Sequence, residues 1–443
     1  MASRAVVAPV RSTVSVGAWV LIVIAVVGGV ALLGRSGPEG QMYVVLSAIT
    51  ALVAAFALPR AAARDGAISV RFLVVALAAH VLGSLLRYAI IQSVYHGVAD
   101  ANGYFGAGQL LAPEFRSLTI PAIPAPYFGT PFIDWSTGLL YAFTGPTLLG
   151  GFVVHSVLSF VGAWCFYRAF RLAFPEGNHE LYAFLVFLLP SMWYWPSSLG
   201  KDGLIMLFLG LATYGFAQLF TGRLLRGLLL ALAGLGGAFM VRPPVAATLA
   251  VAGAAAFLLR PARTRSLQVT GLMWIVFVPL LAVVAYFAIG STTAYLGQDS
   301  AIEAFEAQQS IDFQGQGEDS NFDAPSPFSP AGFVLGAVTV NFRPFPWEAG
   351  GPLPALTAME GLVLLAVLAW RRREILQGLV RWRASGMVLL AVGAWLGLSI
   401  ILASLTNFGL LARQRTQVLP FLFMFPAMVR SVRGRRSAGA ERA

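Results

Sequence analysis

The chain contains a single lysine, Lys201, in the segment Pro196-Ser197-Ser198-Leu199-Gly200-Lys201-Asp202 between two apolar runs. Free amides at the start of a helix, two serine hydroxyls and a point positive charge make a site for an anion. The same residues also read as a capped turn, with Asp202 near a helix N-terminus and Lys201 reaching back to the membrane surface. The segment is not a nucleotide-phosphate loop, because the first glycine of that motif is missing and Asp follows the Lys. Arginines recur in comparable short gaps: Arg242 before Pro243 and Pro244, Arg343 in the stretch that ends at Trp347 and Glu348, and Arg413 with Arg415. A guanidinium fork binds phosphate through two parallel hydrogen bonds. Each arginine alone reads as an interface residue with its head in water. Together with Lys201 they form a set of cations suited to a phosphodiester or diphosphate.

A carboxylate of a different kind stands at Asp100, in a stretch that also holds His96 and Tyr104. It can take a proton from a hydroxyl that attacks a substrate. It can equally be the cap of an interfacial helix beginning near Ala101, which would put Tyr104 one turn away. The nearest other acids in that stretch are Glu114 and Asp134. Seven acids between Asp299 and Asp323 offer oxygen ligands to a divalent cation such as Mg²⁺ or Mn²⁺. Their spacing matches no EF-hand, and a solvated loop is the other reading. His80, His155 and His179 lack metal-ligand spacing.

These residues must be positioned by elements that lie mostly in lipid. The chain is 58% hydrophobic and 11% charged over 443 residues, whereas soluble domains carry about 25% charged residues. The fold class expected is an all-α integral membrane protein. About 20 apolar residues cross a bilayer, which gives twelve candidate spans at 16–34, 42–59, 69–94, 146–168, 181–196, 203–221, 225–241, 245–259, 268–290, 353–370, 386–405 and 417–430. The first reads as a retained anchor rather than a cleaved signal. Residues 331–341 make about half a span. The net charge of +11 resembles a nucleic-acid signal, but the arginines sit between spans, where the positive-inside rule puts them. A lipid bilayer, not nucleic acid, is the partner expected. Sorting the arginines places both termini in the cytoplasm and Asp100, Lys201, Arg242, Arg343 and Arg413 on the outer face. The organisation expected is an N-terminal pair over 1–68, a core over 69–290 including an outer loop at 95–145 with short interfacial helices, an outer loop over 291–352, and C-terminal spans with a basic tail over 353–443. The single cysteine, Cys165, excludes an intrachain disulfide.

The segment Asp100-Ala101-Asn102-Gly103-Tyr104 resembles the Asp-Ala-x-x-Tyr segment of GT-C polytopic glycosyltransferases. Those enzymes take a sugar from a polyprenyl-phosphate carrier on the outer face of the membrane. The segment ending at Lys201-Asp202 and the segment Leu411-Ala412-Arg413-Gln414-Arg415 are similar to parts of membrane proteins of actinobacterial exopolysaccharide clusters. The resemblance covers the layout of residues 70–430. It implies that Asp100 is a catalytic base, that the donor is a polyprenyl-phosphate-linked sugar and that the acceptor is a glycan or lipid. Lys201, Arg242, Arg343, Arg413 and Arg415 would then hold the leaving phosphate, and Tyr104 or Trp347 would stack on a sugar. Two departures are visible: two extra spans precede the acidic loop, and no second acid adjoins Asp100. Other readings of the same cations are a polymerase or ligase acting on diphosphate-linked glycans, and a transporter of lipid-linked glycans.

Overall fold

The computed structural model describes residues 37–259, 271, 321–322, 329–380 and 385–430. Among the described residues the chain is all-helical and contains no strand. The helices are α1 (Pro38–Asp65), α2 (Val70–Ser93), α3 (Asp100–Arg116), α4 (Thr130–Thr144), α5 (Leu148–Ala173), α6 (His179–Leu188), α7 (Pro190–Tyr194), α8 (Lys201–Phe220), α9 (Leu224–Val241), α10 (Pro243–Leu258), α11 (Pro330–Phe342), α12 (Pro352–Trp370), α13 (Arg372–Val380), α14 (Gly386–Leu402), α15 (Phe408–Gln414) and α16 (Leu419–Ala427).

Six of them, α1, α2, α5, α8, α9 and α12, are long and apolar enough to cross a membrane. Burial sorts them into layers. The apolar stretch of α8 is 72% buried and that of α5 67%, whereas those of α1 and α12 are 22% buried. Helices α5 and α8 therefore form the centre. They touch backbone to backbone where Gly162 meets Gly210, the close approach that small residues permit between helices in lipid. Leu52, Val53 and Phe56 of α1 and Leu356 and Met359 of α12 are exposed. Exposed leucine and phenylalanine along whole helices are stable only against an apolar solvent, so the bundle belongs in a bilayer.

Several expected spans differ from the observed helices. The 181–196 run is not one helix. It breaks into α6 and α7 at Leu189, which is extended because Pro190 follows it. The 417–430 run yields α16, nine residues that are all buried, so it packs as core rather than facing lipid. Helices α10 and α14, at 16 and 17 residues, are roughly 24–26 Å long, short of a hydrocarbon layer of about 30 Å. The half-span at 331–341 forms α11, against α14 and α12. The 16–34 span, the 268–290 span apart from residue 271, and the basic tail beyond residue 430 lie outside the described residues.

The bundle has two ends of different character. At one end Asp65, buried, is paired with Arg171 and Arg168 and receives the Tyr167 hydroxyl. There Arg371 donates to the carbonyls of Pro426 and Val429, and the Asn178 amide donates to Ala427. The other end collects the start of α1, whose Glu39 accepts from the first amides of α5 at Leu148 and Leu149, 2.9 and 2.7 Å. Helices α3 and α4, in the expected outer loop, sit at this second end. They are joined where Arg116 donates to the Tyr141 carbonyl at 2.8 Å. The Gly129 amide donates to the Met240 carbonyl at 2.8 Å, which ties the start of α4 to the end of α9.

Candidate functional site

Four chain segments meet at that second end. Helix α3 begins at Asp100, so Tyr104 lies one turn on and faces inward. Ala99, not Asp100, is the cap residue, and no side chain caps this helix; the carboxylate is left for another partner. Helix α8 begins at Lys201 because Gly200 takes φ +137°, a conformation closed to residues with a side chain. A Cβ there would stand 2.9 Å from the Tyr104 ring, so Gly200 also lets the two segments touch. Arg242 sits at the corner between α9 and α10. Pro243 and Pro244 open α10, and the first of them forces Arg242 out of helical geometry. Arg413 lies near the end of α15, whose start is capped by Asn407 Oδ1 accepting from Gly409 and Leu410 at 2.9 and 3.1 Å.

The charges converge on one guanidinium. Arg413 Nη1 donates to Asp100 Oδ2 at 2.9 Å, and its Nε donates to Asp202 Oδ2. Arg242 Nη2 donates to the other oxygen, Asp202 Oδ1, at 3.1 Å. The Asp202 side chain is 2% exposed, while that of Asp100 is 60% exposed. Asp202 is thus the buried post that holds two arginines, and Asp100 is the accessible partner. Deleting one member of a buried ion pair strands the other charge at about 3–5 kcal/mol, which makes Asp202 part of the scaffold as well as of the site. Lys201 forms no ion pair among the described residues and lies within electrostatic reach of Asp100, Asp134 and both arginines. Arg242 Nη1 is buried with no hydrogen-bond partner.

Neighbouring groups set the polarity. Burial, with the charge of Asp100, pushes the Tyr104 phenol up to about 12. Burial raises the Asp134 carboxyl, opposed by Lys201. Arg87 of α2 is buried against the faces of Tyr194 and Trp195, 5.3 and 5.0 Å from their centroids, a cation–π arrangement that fixes the segment leading to Lys201.

Of the residues expected at the site, Asp100, Tyr104, Lys201, Asp202, Arg242 and Arg413 come together, with Asp134 within electrostatic reach of Lys201. The others are placed differently. Glu114 is exposed near the far end of the 17-residue α3, roughly 21 Å from Asp100 at 1.5 Å per residue. His96 is exposed in the turn before α3, with φ +48°. Arg343 is held in a two-pronged pair with Glu348, 2.9 and 2.5 Å, and lies over the Phe322 ring at 4.3 Å. Trp347 is exposed and stacks on Phe345. Arg415 is buried and pairs with Glu360 at 3.6 Å, while Ser191 donates its amide and hydroxyl to the same carboxylate at 3.0 and 2.9 Å. Arg343 and Arg415 each have a carboxylate partner of their own, whereas Arg242 and Arg413 share Asp202. Sequence reasoning left Glu360 unused, although an acid inside an apolar span is a signal in itself. Among the described residues no three of His, Cys, Asp or Glu converge as metal ligands; the acidic stretch 299–323 lies outside them except for residues 321–322. No known protein family, curated protein or solved structure matches the chain.

Proposed function

We propose that the chain is a multi-pass membrane glycosyltransferase of the GT-C type, which moves a sugar from a polyprenyl-phosphate carrier to a cell-envelope glycan, lipid or protein acceptor. In this reading the chain crosses the plasma membrane several times and both termini are cytoplasmic. The end bearing Asp65, Arg171 and Arg371 is the cytoplasmic one, in keeping with the positive-inside rule. The end bearing Asp100 and Lys201 faces outward.

The observation that carries the reading is the pairing of an accessible carboxylate, Asp100, with a cation cluster at the rim of a lipid-embedded bundle. Lys201, Arg242 and Arg413 against Asp100 and Asp202 leave one positive charge. That matches the single negative charge of a polyprenyl phosphodiester better than a diphosphate. The donor phosphate lies against Lys201, Arg242 and Arg413, with its lipid chain along the bundle. Asp100 accepts the proton of an acceptor hydroxyl as that oxygen bonds to the anomeric carbon. The bond from that carbon to the phosphate oxygen breaks, and polyprenyl phosphate leaves with the electron pair, its new charge offset by the cations. Direct displacement inverts the anomeric centre.

The test is transfer by purified protein in liposomes from radiolabelled sugars on polyprenyl monophosphate and on polyprenyl diphosphate. Transfer from a monophosphate donor is expected. Transfer from diphosphate-linked glycans alone overturns the donor assignment in favour of a polymerase or ligase. Movement of lipid-linked glycan across the bilayer without transfer overturns the enzyme reading.

A further inference from the structure

Resting on that reading, we infer that the donor phosphate and Asp100 compete for one edge of Arg413, so that donor binding is what sets the base free. The two carboxylates on Arg413 differ in kind. Asp202 is buried, holds Nε, and also holds Arg242; it anchors the guanidinium. Asp100 stands on the surface of the first turn of α3 and holds only Nη1. It is therefore the exchangeable partner, since an ion pair with one exposed member contributes little and is easily replaced.

Incoming phosphate finds a prepared place. Lys201 forms no ion pair among the described residues, and Arg242 Nη1 is buried without a hydrogen-bond partner. A phosphate oxygen on Nη1 of Arg413 keeps that arginine neutralised while Lys201 gains an ion pair and Nη1 of Arg242 an acceptor. A phosphodiester is a better match for several converging donors than one carboxylate oxygen, because its charge is spread over two non-bridging oxygens. Asp100 then loses its guanidinium and turns both oxygens to the acceptor hydroxyl. Before the donor arrives, Oδ2 of Asp100 is held by Arg413, so only Oδ1 is clear of the guanidinium, and the exchange favours donor binding before the acceptor.

The experiment uses the full chain in phosphatidylcholine nanodiscs, with farnesyl phosphate as the probe and calorimetric titration as the readout. Replacing Asp100 by Asn removes the competitor, so Asp100→Asn is expected to bind farnesyl phosphate about fivefold more tightly than wild type. A second readout needs no variant: carbodiimide modification of Asp100 in the wild-type protein, followed by mass spectrometry, is expected to rise when farnesyl phosphate is added. Equal affinity in the two proteins with unchanged Asp100 modification overturns the exchange and leaves the phosphate site standing. Binding to neither protein overturns the phosphate site and the exchange with it. Inorganic phosphate, titrated in parallel, is expected to bind wild type at least about tenfold more weakly, since it lacks the buried chain. Equal binding of the two probes marks a free-anion site and overturns the lipid-linked assignment.

Discussion

Asp100 and Arg413, 313 positions apart in the sequence, form an ion pair of 2.9 Å in which one partner is open to solvent and the other is anchored from behind by Asp202. The pair joins the first turn of α3 to the end of α15 at the rim of the bundle. An exposed carboxylate held by an anchored guanidinium is the arrangement on which the proposed chemistry depends.

Arg413 spans two carboxylates with two different nitrogens, a geometry a lysine ammonium cannot reproduce. Arg413→Lys is expected to keep the charge but lose at least about 100-fold in transfer rate. Steady-state transfer in liposomes checks this, and a change under about threefold would show that only the charge matters.

Lys201 is assigned to donor binding. Lys201→Ala is expected to raise the dissociation constant for a polyprenyl-phosphate donor by roughly tenfold, the effect of one charge-assisted hydrogen bond, with the acceptor KM unchanged. Equal donor affinity in the variant removes Lys201 from the site.

The Glu360–Arg415 pair is buried and shared with Ser191. Glu360→Leu strands the arginine and is expected to cost about 3–5 kcal/mol. The double variant Glu360→Leu/Arg415→Met replaces both partners and recovers most of that loss. Thermal unfolding in detergent distinguishes the two, and a double variant no more stable than the single one shows that the pair is not a stabilising unit.

Glu348 is opposed by burial but held below the ordinary carboxylate range by Arg343 and by the Phe345 amide. A carboxylate depressed in the folded state stabilises the fold fully above its unfolded value, about 4.3. The contribution fades as pH falls through the lower folded value. Wild type is therefore expected to lose thermal stability below about pH 4 faster than Glu348→Gln. Parallel melting curves between pH 3 and 7 check it, and identical slopes contradict the pairing.

The six long apolar helices were readable from hydropathy. The turns at Gly200 and at Pro243 were legible too, because glycine permits and proline restricts backbone conformations locally. Pro190, inside an apolar run, was the sign that 181–196 would break, and hydropathy averaged over it. The site was half legible. Lys201 drew notice as the one lysine, yet the residue beside it, Asp202, holds the cluster together. Adjacent helical residues point about 100° apart, so the sequence does not say which of the two faces the core. Pairings between distant segments, such as Arg413 with Asp100 or Arg415 with Glu360, depend on tertiary packing and leave no local pattern. The pairings of Arg343 with Glu348 and of Arg415 with Glu360 were not legible either, because a guanidinium reads the same in sequence with or without a carboxylate partner.

The measurement that tests the central claim most directly is single-turnover sugar transfer by donor-loaded Asp100→Asn beside wild type. The account predicts that the variant binds donor at least as well as wild type and transfers about 10²–10⁴-fold more slowly, the contribution of a general base. Transfer by the variant at the wild-type rate would contradict it and leave Asp100 as a structural partner of Arg413.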